Sequence, residues 1–242
     1  MNTEILILSG YYLSTICFLV STVIMSMTVR NFGKSALGSV FSYIFVGTSI
    51  FFAITLFKKL GPSFFDISQG SVDIWWHIMF YLGMISYYLG LRSLVKLANG
   101  DDGSMKIGSE NIWGLIVAII LILIFFIPKW VDPIISQYAS SALALYGFHN
   151  FIAFLVAGLL GSYLLIAKNN FGLIGKAVAN PMMVLVWAFC LQHLWELLFR
   201  WNLINPSINL NKGVEIIILI VASVSITAVA VKLDKFTIKL KL

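Results

Sequence analysis

The chain has three histidines, at positions 77, 149 and 193, and each falls inside a long apolar run. An ionisable side chain in such a run carries a desolvation cost and marks a functional-site hypothesis. Neutral imidazole is a ligand for haem iron, zinc and copper. His193 belongs to a stripe. Cys190, His193, Glu196 and Arg200 step by three, three and four, which places them on one helix face with Gln192 beside it. That face cannot meet lipid without penalty, so it is expected to turn into a bundle or toward another subunit. Glu196 is expected to pair with Arg200, at the i,i+4 spacing, or with a histidine. A second stripe runs through His77, Tyr81, Met84 and Tyr88, and a third polar cluster is Tyr146, His149 and Asn150.

The candidate cofactor ligands are therefore His77, His149, His193 and Glu196, with His149 and His193 as the expected metal-binding pair. Trp76, Tyr81, Tyr146, Asn150, Cys190, Trp195 and Arg200 are expected to line the pocket around them. Haem b or a transition metal suits the histidines, and a small amphipathic ligand such as a quinone suits the aromatic lining. Each histidine can equally serve as an interhelical hydrogen-bonding group and nothing more. No HxxxH or CxxC spacing is present, and no Ser-His-Asp or HExxH arrangement points to hydrolysis. Cys17 and Cys190 both lie within apolar runs, where a thiol is a small packing residue.

The elements that must position these groups follow from composition. The sequence is 60% hydrophobic and only 11% charged, and its mean hydropathy is +0.96. A soluble domain carries about 25% charged residues, so no water-soluble shell can be built, and nucleic-acid binding is excluded with it. A helix needs about 20 apolar residues to cross the bilayer. Seven segments qualify or nearly do: 5–29, 36–57, 74–95, 112–128, 139–167, 179–200 and 214–232. The reading is an all-α, polytopic, single-domain bundle of seven transmembrane helices. Continuous apolar runs such as Ile116 to Ile127 argue against the alternation of a β-barrel strand. Small residues at 153, 157 and 161 form a close-packing seam on the fifth segment. The fourth and seventh have almost nothing polar mid-span and are expected at the periphery.

Eleven of the sixteen Lys and Arg residues fall on one side of this arrangement. The other side holds Lys58, Lys59, Lys129, Arg200 and Lys212. The richer side is expected to be cytoplasmic, which puts the N-terminus outside and the C-terminus inside a cell membrane. At a rise of about 1.5 Å per residue, His77 then lies about 5 Å, His193 about 10 Å and His149 about 16 Å below the outer interface. The basic tail after Lys232 is expected to lie against anionic headgroups.

Gly147-Phe148-His149 followed by His193-x-x-Glu196 resembles helices of the third subunit of haem-copper oxidases. The apolar helix after Arg200 departs from that family's order, so no residue role is carried over. The functional expectation is a multi-pass membrane protein that binds a cofactor or amphipathic ligand as a redox or sensory component. The alternative is a non-catalytic subunit of a larger membrane complex, with other membrane subunits as partners besides the lipid bilayer. A transporter would need a polar path through the inner halves of the helices, which hold no buried charge.

Overall fold

The computed structural model describes residues 3–32, 35–99, 119, 127, 130–170 and 172–241. Among them the chain is helical, with no strand. The helices are α1 (Thr3–Phe32), α2 (Ala36–Phe65), α3 (Gln69–Ala98), α4 (130–139), α5 (Ala142–Leu145), α6 (Phe148–Ala167), α7 (Gly172–Arg200) and α8 (Ile208–Lys241). Six of these, α1, α2, α3, α6, α7 and α8, are long and apolar enough to cross a membrane. The expected fourth span, 112–128, lies outside the described residues but for 119 and 127.

Serine caps start several of the helices. The Ser35 hydroxyl accepts from the Gly38 N–H at 3.0 Å and opens α2. Ser68 accepts from the Ser71 N–H at 3.1 Å and opens α3. Each satisfies a backbone donor that the first helical turn leaves unpaired. Within the spans, Ser14, Thr48, Ser49 and Thr55 turn their hydroxyls back to the carbonyl four residues earlier, so these polar groups are satisfied without water.

The segment expected as one span over 139–167 is divided. Ser141 accepts from the Ala144 N–H at 3.3 Å and starts a one-turn helix that closes at Tyr146. Gly147 then takes φ 74°, a left-handed conformation that favours glycine, and α6 begins at Phe148. His149 is consequently the second residue of a spanning helix, not a mid-span residue. An apolar run alone does not show the break, because Ala142–Leu145 and Phe148–Ala167 are equally apolar.

The six long helices close a ring in the order α1, α2, α3, α6, α7, α8 and back to α1. Outward faces carry exposed Leu159, Ile166, Leu191 and Ile217, as a lipid-facing surface does. The interior is plugged by an aromatic layer around Phe51 of α2. Its ring lies 5.9 Å from Phe18 of α1, 5.9 Å from Phe80 and 5.7 Å from Tyr87 of α3, and 5.0 Å from Phe189 of α7.

Glycines let the helix backbones approach this layer. A Cβ built on Gly83 would sit 2.7 Å from the Phe51 ring, and one on Gly47 would sit 2.7 Å from the Tyr87 ring. Both rings are fully enclosed, so neither can swing away. Gly83→Ala is therefore expected to destabilise the bundle by about 1–3 kcal/mol through overpacking. Unfolding in mixed micelles measures this, and a stability gain would show that α2 and α3 are free to separate.

Candidate metal centre and polar chamber

One end of the ring gathers the N-terminal turns of α3, α6 and α8, the first helical turns of α1 and the C-terminal turns of α2 and α7. There a polar chamber of about 540 Å³ opens, and two of its lining residues, Trp76 and His193, rest on Phe80 of the aromatic layer. Trp76 stacks on Phe80 at 5.4 Å, and Phe80 meets the His193 ring edge-on at 4.7 Å.

The three histidines come together beside these rings, from α3, α6 and α7. Their exposures are 4%, 6% and 1% for His77, His149 and His193, so none is a surface residue. Ring centroids are 4.5 Å apart for His77 and His149, and 5.2 Å for His77 and His193. The position of His149 at the start of α6 brings it level with the other two.

Asn150 ties the rings to one another. Its Oδ1 position lies 2.9 Å from His77 Nε2 and 3.2 Å from His193 Nδ1, while its Nδ2 position lies 3.3 Å from His149 Nε2. On its other side, His77 donates its Nδ1–H to the Asp73 backbone carbonyl at 2.8 Å. The donor count follows from that bond. With oxygen facing both rings, His77 must carry two protons and be cationic. With the amide turned by 180°, one NH2 group donates to both rings and His77 is neutral, with its Nε2 lone pair directed at Asn150. The neutral arrangement leaves the amide oxygen beside His149 Nε2, where an N–H can reach it.

Asp73 completes the cluster. Its carboxylate lies 3.3 Å from His149 Nε2, 3.9 Å from His77 Nδ1 and 3.6 Å from Arg200 Nη2. One ligand atom each from Asp73, His77 and His149 falls within 4.8 Å of the other two. His193 stands outside that group and joins it through its hydrogen bond to Asn150 and its ring contact with His77. Of the expected His149–His193 metal pair, only His149 belongs to this group of potential ligands, which adds His77 and Asp73.

Other expected site residues separate into two sets. Trp76, Asn150, Glu196 and Arg200 line the chamber with His77 and His193. Tyr81 holds the cluster from the side by donating its hydroxyl to the His149 carbonyl at 2.7 Å. Cys190 points to α6, where its thiol meets the Phe154 carbonyl at 3.9 Å. Trp195 donates to Asn211 Oδ1 at 2.6 Å and braces α7 against α8. Tyr146 is 70% exposed and does not line the chamber. The expected ion pair of Arg200 with Glu196 is replaced by the pair with Asp73, because the first turn of α3 and the last turn of α7 end on the same chamber.

A second polar cluster lies across the chamber and was not anticipated from sequence. Lys58 of α2 forms an ion pair with Glu215 of α8, and Tyr11 of α1 donates its hydroxyl to the same carboxylate oxygen at 2.8 Å. The Lys58 ammonium also lies 5.6 Å from the Trp76 ring centre. So α8, expected at the periphery, supplies a charged group to the chamber. Removing one partner of an enclosed ion pair strands the other charge. A double-mutant cycle of Lys58→Met and Glu215→Leu is expected to give a coupling of about 0.5–3 kcal/mol in unfolding free energy. Strict additivity would show that the two side chains stabilise the bundle independently.

No family model, no curated protein and no solved structure matches the chain. The functional reading therefore rests on the chemistry of the cluster and its chamber.

Proposed function

We propose that this is a multi-pass membrane protein that holds a divalent transition metal ion at Asp73, His77 and His149 and presents its open coordination positions to the chamber. The observation that carries the reading is the convergence of one carboxylate and two imidazoles, from two helices, with ligand atoms within 4.8 Å of each other. Two ligands at about 2.1 Å from a metal in tetrahedral geometry lie about 3.4 Å apart. The 3.3 Å between the Asp73 carboxylate and His149 Nε2 suits that spacing.

The surroundings support the same reading. Metal-bound histidines usually donate their second ring N–H to a carbonyl or carboxylate; His77 does so from Nδ1 to the Asp73 backbone, so Nε2 would be its ligand atom and the ion would displace the Asn150 amide from it. Arg200 flanks the Asp73 carboxylate as an outer partner. A carboxylate with two imidazoles is a donor set for zinc, iron(II) or manganese(II), and three protein ligands leave positions for water or a ligand oxygen. A metal there would polarise whatever oxygen it binds. Haem b suits the cluster less well. The rings pack at 4.5 and 5.2 Å, which leaves no slot for a macrocycle between them.

In this reading the chamber faces the outer side of a cell membrane. The support is the excess of Lys and Arg predicted at the opposite ends of the helices. Metal analysis of the protein purified from its native membrane tests the proposal. One equivalent of a divalent metal per chain, lost in His77→Ala, is expected. A folded protein that neither contains nor takes up zinc, iron or manganese would overturn it. A reporter fused to the C-terminus is expected to be active only in the cytoplasm, and an external C-terminus would reverse the orientation.

A further inference from the structure

The chamber holds more cationic groups than its own carboxylates match. Lys58, Lys59, Arg200 and Lys212 share the lining with Asp73, Glu196 and Glu215. Glu215 pairs with Lys58, and Asp73 pairs with Arg200. Among the described residues no carboxylate forms an ion pair with Lys59 or Lys212. The Lys59 ammonium sits 3.9 Å over the Tyr11 ring centre, repelled by Lys58 and Lys212 and attracted by a Glu215 already paired with Lys58.

The inner wall supplies an independent observation. Gln192 Oε1, His193 Nε2 and Arg200 Nε are buried with no hydrogen-bond partner, and all three residues line the chamber. Gln192 and His193 are only 6% and 1% exposed. Buried polar atoms are nearly always paired in folded proteins, and leaving one unpaired costs free energy that a polar ligand recovers.

We propose that the chamber binds an oxyanion, a phosphate or carboxylate group. Its charged oxygens face Lys59, Lys212, the Arg200 Nε–H and a His193 Nε2–H, and the Gln192 amide, turned by 180°, offers its NH2 group at the unpartnered position. Glu196 shares that wall and takes the O–H of a partly protonated oxyanion. The group is carried either by a free solute or by a lipid headgroup. The site does not require the metal: Lys59, Lys212 and Gln192 lie outside the Asp73–His77–His149 group, and Arg200 and His193 adjoin it without belonging to it.

Equilibrium dialysis of radiolabelled inorganic phosphate tests the proposal. The full chain is used after chelator treatment, in dodecyl maltoside micelles that carry no phosphate. One saturable site per chain is expected. The Lys59→Gln/Lys212→Gln variant is expected to bind about tenfold or more weakly, and Lys59→Arg/Lys212→Arg to keep wild-type affinity. Phosphatidylglycerol added to the micelles separates the two sources. Competition with phosphate assigns the site to a lipid headgroup, and undiminished phosphate binding assigns it to a free solute. Absence of saturable binding, or wild-type affinity in the glutamine variant, would overturn the proposal. Because the protein is metal-free throughout, failure of the metal centre leaves this result unaffected.

Discussion

Asp73→Asn and His149→Ala are each expected to weaken zinc binding by about 100-fold or more. Loss of outer-sphere partners alone typically costs about 10–100-fold, and these changes remove a ligand itself. Asn keeps the size of Asp73 but withdraws the negative charge and the anionic oxygen that faces His149 Nε2 at 3.3 Å. His193→Ala separates this arrangement from the one expected on sequence grounds. His193 supplies no ligand in this arrangement and meets the cluster through Asn150 and the His77 ring, so its loss is expected to cost about tenfold at most. Competition titration against a zinc-binding dye measures all three. A large effect at His193 with a small one at Asp73 would mean that the metal sits between His149 and His193 instead.

Phe51→Ala is expected to destabilise the bundle by about 3–5 kcal/mol, the range found for enclosed aromatic-to-alanine changes. Phe51 has no exposed surface and touches aromatic rings on α1, α3 and α7. It thus links helices on three sides of the ring, and truncation leaves a cavity that the neighbouring rings are too rigid to fill. Phe51→Leu keeps most of the volume and is expected to cost less than half as much. Phe51→Ala is also expected to lower metal affinity modestly by loosening Phe80, on which Trp76 stacks beside His77. Unfolding in mixed micelles checks the first effect. A loss below about 1 kcal/mol would mean that the layer repacks around the gap.

The sequence carried the helical class and most of the residues that meet at the chamber. Apolar runs of span length mark the long helices, and the three-three-four spacing on α7 marks His193, Glu196 and Arg200 as one face. Asp73 was missed because hydrophobicity starts the third span at Ile74, which leaves the aspartate in a loop. Its i,i+4 relation to His77 was the available signal, since that spacing places the carboxylate on the histidine's own face. Lys58 and Glu215 carry no such local signal. They lie 157 positions apart and meet only because α2 and α8 end on the same chamber. In the sequence Lys58 falls one residue past the apolar run and counts only toward orientation. The Arg200 partner shows the same limit: local spacing favours Glu196, whereas the shared chamber delivers Asp73 from another helix. The depth of His149 turned on the left-handed Gly147, which an apolar run conceals.

X-ray absorption at the zinc edge of the zinc-loaded protein tests the metal centre most directly. Two imidazoles at about 2.0–2.1 Å with additional oxygen ligands are expected, falling to one imidazole in His149→Ala and staying at two in His193→Ala. A spectrum without imidazole scattering, or one that His149→Ala leaves unchanged, would contradict a metal site at Asp73, His77 and His149.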